Sequence, residues 1–315
     1  MSRTLAVLMD AIDAIHIRKD STFAMLLEAQ RRGWQLRYMT QGDLALRGGE
    51  PWARLASLEV RDDAAGWFSL GEPVWTDLRT LDLVLARKDP PVDAQFLYDT
   101  LVLQQASDAG VLVVNDPRGL RDANEKLFTL RFPQCIAPTL VARDVREIRR
   151  FVAEHDKVVL KPLDGMGGRS IFKSGHGDAN LNVILETLTA GGQTFAVAQK
   201  FIPEISAGDK RILLIDGEPV DYALARIPQG DDFRGNLAAG GKGVGVALSE
   251  RDRWIAAEVA PELRRRGMIF VGLDVIGDWL TEINVTSPTC IRELDAQFGL
   301  NIAGLLFDRI EARFA

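Results

Sequence analysis

Short apolar runs alternate with amphipathic stretches over the first 120 residues. Leu5 to Met9 is apolar and ends at Asp10, which predicts a buried strand. Ser21 stands where a cap is needed for a helix from Phe23 to Arg32, and Gly33 where a stop is needed. Gln35 to Met39, Leu81 to Ala86 and Val111 to Val114 read as further strands, with a helical stretch from Asp93 to Ala109. Strands alternating with helices imply a parallel sheet with right-handed crossovers, and such sheets collect ligands at the carboxyl ends of their strands. Leu81 to Ala86 runs straight into Arg87-Lys88-Asp89-Pro90-Pro91. The prolines end the strand and the charges sit where a ligand would, although a solvated loop accounts equally well for that segment alone.

The rhythm changes after about residue 122. Asn124 to Phe132 reads as a helix carrying Lys126, Ala137 to Ala142 starts a strand, and Val145 to Glu154 is a helix. Apolar strands flank Asp164-Gly165-Met166-Gly167-Gly168. Leu181 to Leu188 is a helix, Ala196 to Phe201 a strand, and Lys210 to Ala225 a hairpin turning at Asp216-Gly217. Gln229 to Gly245, rich in glycine and polar residues, reads as a long mobile loop. Arg251 to Arg266 is helical, and a last helix starts near Asn301.

Between those helices lies the most informative stretch, Phe270 to Thr289, two apolar runs around a Gly277-Asp278 turn. Asp274 lies on the first arm, and Glu282 and Asn284 share one face of the second because strand side chains alternate. A three-residue turn, Gly277 to Trp279, would pair Asp274 with Glu282 on that face; a two-residue turn would set them on opposite faces. With the odd turn, two carboxylates and an amide oxygen converge, a hard oxygen-only set suited to Mg²⁺ beside nucleotide phosphates.

Composition narrows the class. The 315 residues fit two or three domains with ordinary apolar content. A net charge of −6 argues against a nucleic-acid surface and leaves room for a local basic cleft. Two cysteines, Cys135 and Cys290, form no disulfide framework and point to a reducing cytosol. No signal peptide or membrane-length apolar run is read. His16, His155 and His176 are scattered, which argues against zinc, and none lies near Cys290 in sequence to activate it as a nucleophile.

The glycine loop lacks the Gly-Lys-Ser/Thr of a Walker A motif, and its strand flanks exclude a dinucleotide fingerprint. It can fold over a triphosphate as a flap, with backbone N–H groups near phosphate oxygens. Lys161, in the apolar strand before it, needs a partner or a route to water. Lys126 is a second phosphate cation from another element. Arg211, Arg226 and Arg234 add groups that bind carboxylate or phosphate while staying charged. Each alone is an ordinary surface residue; together they are the equipment for ATP-driven activation of a carboxylate.

On these residues the chain resembles the ATP-grasp superfamily and, within it, the bacterial glutathione synthetases. The resemblance is carried by Lys19 to Gly33, Arg87 to Pro91, Leu120 to Lys126, Leu160 to Gly168, Ala225 to Gly230, Arg234 to Gly241 and Thr281 to Glu293, and is weakest from Arg47 to Asp77. It implies an α/β ATP-grasp fold with an N-terminal doubly wound parallel-sheet domain (1–122), a central lid (123–200) and a C-terminal part carrying the metal and substrate site (201–315). It implies ligation of γ-glutamylcysteine to glycine with ATP and Mg²⁺ or Mn²⁺, by a cytoplasmic homo-oligomer, a tetramer, without nucleic-acid or membrane partners. Lys126, Lys161 and the loop Gly165, Gly167, Gly168 would hold phosphates, and Gln199 to Ile202 the adenine. Asp274, Glu282 and Asn284 would hold the metal. Arg211 and Arg226 would act on the transferring phosphoryl group and the tetrahedral oxyanion. Arg87, Arg234, Asn236, Ser287 and Thr289 would contact substrate, with loops near 165–168 and 227–242 closing over the site. The rival readings are an ATP-grasp ligase for another amine or acid, and a nucleotide-binding regulator without turnover.

Overall fold

The computed structural model describes residues 3–165, 167–230, 234–235 and 240–314. Its N-terminal sheet has a parallel centre in the spatial order Gln35–Met39, Thr4–Leu8, Leu83–Ala86, Leu112–Val114. These strands are short and apolar because both faces are covered. Helices Ser21–Arg31 and Ala94–Asp108 provide the crossovers. The first helix is capped by Asp20, whose carboxylate accepts from Phe23 N–H at 2.6 Å, and not by Ser21 as expected. The Ser21 hydroxyl instead accepts from Ile291 N–H, 270 residues away in the chain.

The segment with the weakest pattern is a sheet extension. Glu50–Val60 pairs antiparallel with Gln35–Met39 and carries Leu44–Arg47, Phe68–Leu70 and Val74–Asp77 along its length. Asn124–Phe132 is not a full helix; only the 3₁₀ turn Leu127–Arg131 forms, with Lys126 ahead of it.

The segment expected as the lid is an antiparallel sheet in the order Phe172–Gly175, Lys157–Pro162, Ala196–Lys200, Thr139–Ala142. Helices Val145–His155 and Leu181–Thr189 close its own apolar cluster around Ile148, Leu160 and Leu185. The C-terminal sheet runs Lys242–Ala247, Glu218–Ile227, Asp209–Ile215, Phe270–Ile276, Trp279–Asn284, all antiparallel. Its first strand occupies the end of the expected loop. Leu5 and Val7 of the N-terminal sheet and Phe23 of helix Ser21–Arg31 share one core with Leu213, Phe270 and Phe307, so these two layers are one packed body while the lid has a separate core.

The hairpin at 270–284 combines the two alternatives drawn from sequence. Ile276 pairs with Trp279 across a two-residue turn, yet Asp274 still faces Glu282. Thr281 is the reason: it is an extra residue, a bulge, between the Val275–Leu280 and Asp274–Glu282 pairs. Its hydroxyl donates to the Asp274 carbonyl at 3.1 Å, which ties the bulge down.

Candidate active site

One cavity of about 310 Å³ opens between the lid sheet and the C-terminal sheet, a size within the range of small-molecule sites. From the lid come Val159, Lys161, the glycine loop and Gln199 to Ile202; from the C-terminal sheet come Asp209, Arg211, Arg226, Asp274, Glu282 and Asn284. Strand alternation explains the second group. Asp209 and Arg211 are two apart on one strand, and Glu282 and Asn284 two apart on another, so each pair faces the same side.

Charge is concentrated here and balanced. Arg211 grips Asp274 through two bonds, Nε to Oδ1 at 2.5 Å and Nη2 to Oδ2 at 3.1 Å. Arg226 lies 2.9 Å from Asp274 Oδ2 and donates to Asp209 Oδ2 at 2.5 Å. Burial opposes the Asp274 charge, but the two guanidinium groups outweigh it and hold its carboxyl well below the usual range. Burial, with Asp274 and Glu282 nearby, pushes Asp209 up to about 7 against the pull of Arg226. Its Oδ1 is buried without a hydrogen-bond partner among the described residues.

The lysines form a second group. Lys126 Nζ donates to the Gly165 carbonyl at 2.8 Å, pairs with Glu125, and lies 3.5 Å from Glu282. Lys161 Nζ lies 3.9 Å from the same Glu282 oxygen. Burial works against both ammonium charges. Glu282 and Glu125 overcome it at Lys126, whose pKa is raised, and not at Lys161, whose pKa is lowered. Glu125 is raised by burial and by its neighbour Glu282.

The loop holds Gly167 and Gly168 at φ 64° and 80°, a left-handed backbone open to glycine at little cost. Arg234 Nη1 donates to the Gly168 carbonyl at 2.8 Å, so the second expected loop touches the first. At the end of strand Ala196–Lys200, the N–H groups of Lys200 and Phe201 donate to Pro138 and Lys157 carbonyls. The Ile202 N–H has no partner among the described residues. Val159, Ile171, Ile205 and Ile276 make the adjoining wall apolar.

Two sequence profiles match the chain: the prokaryotic glutathione synthetase N-terminal domain over residues 4–121, and the ATP-grasp domain of the same enzymes over residues 125–299. The chain belongs to the prokaryotic glutathione synthetase family. The glutathione synthetase of Xanthomonas axonopodis pv. citri is 68% identical over 312 residues, 99% of each chain. That of Pseudomonas aeruginosa is 58% identical over 315 residues, 100% of this chain and 99% of the relative. Among solved structures, the ATP-grasp ligase PsnB complexed with minimal precursor, Mg and ADP superposes with a TM-score of 0.64 at 17% identity, over 99% of this chain and 97% of that one. A RimK domain ATP-grasp protein from Sphaerobacter thermophilus gives 0.62 at 19%, over 98% of both. At such identities these two define the fold alone, and that fold is ATP-grasp.

Against this glutathione synthetase frame, most expected site residues meet. Lys161, Gly165, Gly167, Gly168, Gln199, Ile202, Arg211, Arg226, Arg234, Asp274, Glu282, Asn284, Ser287 and Thr289 all line the cavity. Lys126 stands directly behind the flap. Asn236 lies outside the described residues. Arg87, expected at the substrate, does not line the cavity: it is buried, 4% exposed, behind the loop that carries Ser287. Two residues were missed. Glu125 is the neighbour of a predicted phosphate lysine. Asp209 was masked by Gly208, which makes the segment look like a turn, although its spacing of two from Arg211 was a usable signal.

Proposed function

We propose that this glutathione synthetase family member ligates γ-glutamylcysteine to glycine with cleavage of ATP, giving glutathione, ADP and phosphate. The observation that carries the reading is the convergence of Asp274, Glu282 and Asn284 with Lys126, Lys161, Arg211 and the glycine flap around one cavity. A carboxylate is a poor acyl donor because its leaving group would be oxide. Its oxygen attacks the γ-phosphorus, ADP leaves, and the resulting acyl phosphate is attacked by the glycine amine; phosphate departs and the amine loses a proton.

Two anions must approach for that to happen, so the protein has to supply positive charge where it develops. Lys126 and Lys161 are placed for phosphate oxygens, and Arg211 and Arg226 for the transferring group and the tetrahedral oxyanion. The Ile202 N–H and the apolar wall suit adenine. Mg²⁺ fits the donor set: the amide nitrogen of Asn284 turns back to the Gly272 carbonyl at 3.4 Å, leaving its oxygen to join Glu282 and Asp274. When bound, the ion would polarise phosphate oxygens; Mn²⁺, with similar oxygen preference, is included in the proposal.

Lys126 and Lys161 lie beside Glu282, and Arg211 and Arg226 lie beside Asp274. Lys126 and Lys161 can therefore turn to phosphate while Glu282 turns to metal, and no buried charge is stranded. Closure of the Gly165–Gly168 loop and of the segment reaching Lys242 would exclude water from the acyl phosphate. Substrate contact is assigned to Arg234, Asn236, Ser287 and Thr289. Three units, 1–122, 123–200 and 201–315, cytoplasmic location and a homotetramer belong to the same proposal. Among the described residues no helix is long and apolar enough to cross a membrane. Leu97, Tyr98 and Leu101 form an exposed apolar strip on helix Ala94–Asp108, as self-association requires.

The test is phosphate release from ATP and Mg²⁺ with γ-glutamylcysteine and glycine added singly and together, with product mass recorded. Release that needs both, with glutathione formed, supports the proposal. Release with a different amine keeps a ligase with another acceptor, and ATP binding without release under any condition refutes catalysis.

A further inference from the structure

The N-terminal and C-terminal layers are tied to each other firmly. Asn115 Nδ2 donates to the Phe270 and Val285 carbonyls at 2.7 Å each, and its Oδ1 accepts from Ile269 and Phe270 N–H at 2.8 and 2.9 Å. Arg87 Nη2 adds a bond to the Pro288 carbonyl at 2.8 Å. The sheet that carries Lys161 belongs to neither layer and packs around its own apolar cluster. Yet Lys161 has to work with Lys126, which stands on the body, so something must set one against the other.

The segment around Lys126 is fixed to the body. Ala123 and Phe128 lie in the same apolar cluster as Leu280 and Ile283, and the Glu125 carbonyl accepts from Ile283 N–H at 2.9 Å. Lys126 is thereby held beside the strand of Glu282 and Asn284. Asn124 shapes the turn: its Oδ1 accepts from Lys126 N–H at 3.1 Å and from Leu127 N–H at 3.0 Å. With the oxygen accepting on the body side, the amide nitrogen is free to donate elsewhere. Nδ2 donates to the Leu163 carbonyl at 3.3 Å, two residues beyond Lys161. One side chain thus reaches from the backbone of the first lysine to the strand end of the second.

Two cations reach the same stretch. Lys126 Nζ donates to the Gly165 carbonyl and Arg234 Nη1 to the Gly168 carbonyl, both at 2.8 Å. Each has another task in the proposed reaction, Lys126 at phosphate and Arg234 at substrate, so its bond to the loop is given up when ligands bind. The Asn124 amide is neutral and has no second task. Its bond can hold through the whole cycle.

We infer that Asn124 is a positioning residue that sets Lys161 against Lys126, so that both ammonium groups meet one polyphosphate chain. The two already converge on a single Glu282 oxygen, at 3.9 and 3.5 Å. The inference rests on the proposed phosphate role of the lysines and is independent of which acid and amine are ligated.

The experiment measures equilibrium binding of AMP and of ATP, each with Mg²⁺, to the full-length protein. AMP lacks the β- and γ-phosphates, so the ratio of its Kd to that of ATP isolates what the lysines add. Asn124→Ser keeps an oxygen for the turn and is too short to reach Leu163. In this variant the ratio should shrink about 10-fold, the lower end of what a hydrogen bond to a charged group contributes, while Kd for AMP stays within about threefold. Asn124→Asp keeps the body-side bonds, loses the donor to Leu163, and adds a negative charge that can only weaken ATP further; its ratio should shrink at least as much. A merely structural role would weaken AMP and ATP alike, and that result overturns the inference, as does an unmoved ratio in Asn124→Ser. Should that variant not fold, an unmoved ratio in Asn124→Asp overturns it instead. Wild-type protein that binds ATP no more tightly than AMP overturns the phosphate role of the lysines and this inference together; wild-type discrimination with unmoved variant ratios overturns this inference alone.

Discussion

Gly272 offers a sharp test of how tightly the site is built. It lies mid-strand opposite Asn284, and Arg211 runs across it beneath Pro288. A Cβ at this position would stand 2.8 Å from Arg211 Cδ and 2.9 Å from Pro288 Cβ. Ordinary carbon contacts begin near 3.5 Å, so Gly272→Ala must displace Arg211 by about 0.7 Å and Pro288 by about 0.6 Å. Pro288 is held by Arg87 and Arg211 by Asp274, so relief in either direction disturbs a site contact. Overpacking of this kind costs about 1–3 kcal/mol. A misplacement near 1 Å in a reacting constellation lowers rate by about 10²-fold. We expect kcat for glutathione formation to fall about 10- to 100-fold, KM for ATP to stay within about threefold, and Tm to drop by a few degrees. Kinetics with varied ATP and varied dipeptide, alongside thermal melts, would measure all three. Wild-type kcat and dipeptide KM in the alanine variant would refute the claim that Arg211 and the Pro288 loop are packed against each other through Gly272.

Arg211→Ala should lower kcat by about 10²-fold or more, the scale of a lost charge stabiliser, and an unaltered kcat would remove it from the mechanism. Lys161→Met should raise the Kd for ATP by about 10-fold or more, read by equilibrium binding, because a charge-assisted contact is lost; unchanged affinity would leave the phosphates to other groups. Acid stability has its own marker in Glu28, which hydrogen bonds from Arg31 and Arg32 hold at about 2 from an ordinary 4.5, despite burial. A depressed carboxyl contributes stability above its unfolded pKa and loses it as pH falls through the folded one. The gap in Tm between wild type and Glu28→Gln should therefore shrink between pH 4.5 and 2, and a constant gap would refute the linkage.

Much of the site was legible because strand alternation and glycine turns are local signals. The Asp274–Glu282 pairing was not, since it depends on one inserted residue. Nothing about Thr281 as a residue type distinguishes a bulged threonine from a paired one, and turn length alone predicts the opposite faces. Cap assignment failed between Asp20 and Ser21 because both types cap helices; a tertiary contact to Ile291 decided it. Glu50–Val60 was obscured by Pro51 and by the adjacent buried Leu55 and Ala56, which break the alternation. Helix Ile291–Phe298 follows a Thr-Ser-Pro-Thr-Cys run that reads as loop, and Cys290 sits there at φ 93°. Arg87 was placed at a strand end, where ligands gather, but its burial is set by the opposing layer, which no local pattern reports.

Asn115 bears on how such proteins can be recombined. It comes from the strand end Leu112–Val114, yet all four of its bonds are to main-chain groups of the segments carrying Asp274 and Glu282. The two halves are thus not interchangeable modules. A chimera that joins this ATP-grasp half to a foreign N-terminal half inherits unsatisfied strand ends unless the donor supplies an amide at the same place, so the natural unit of exchange is the whole chain.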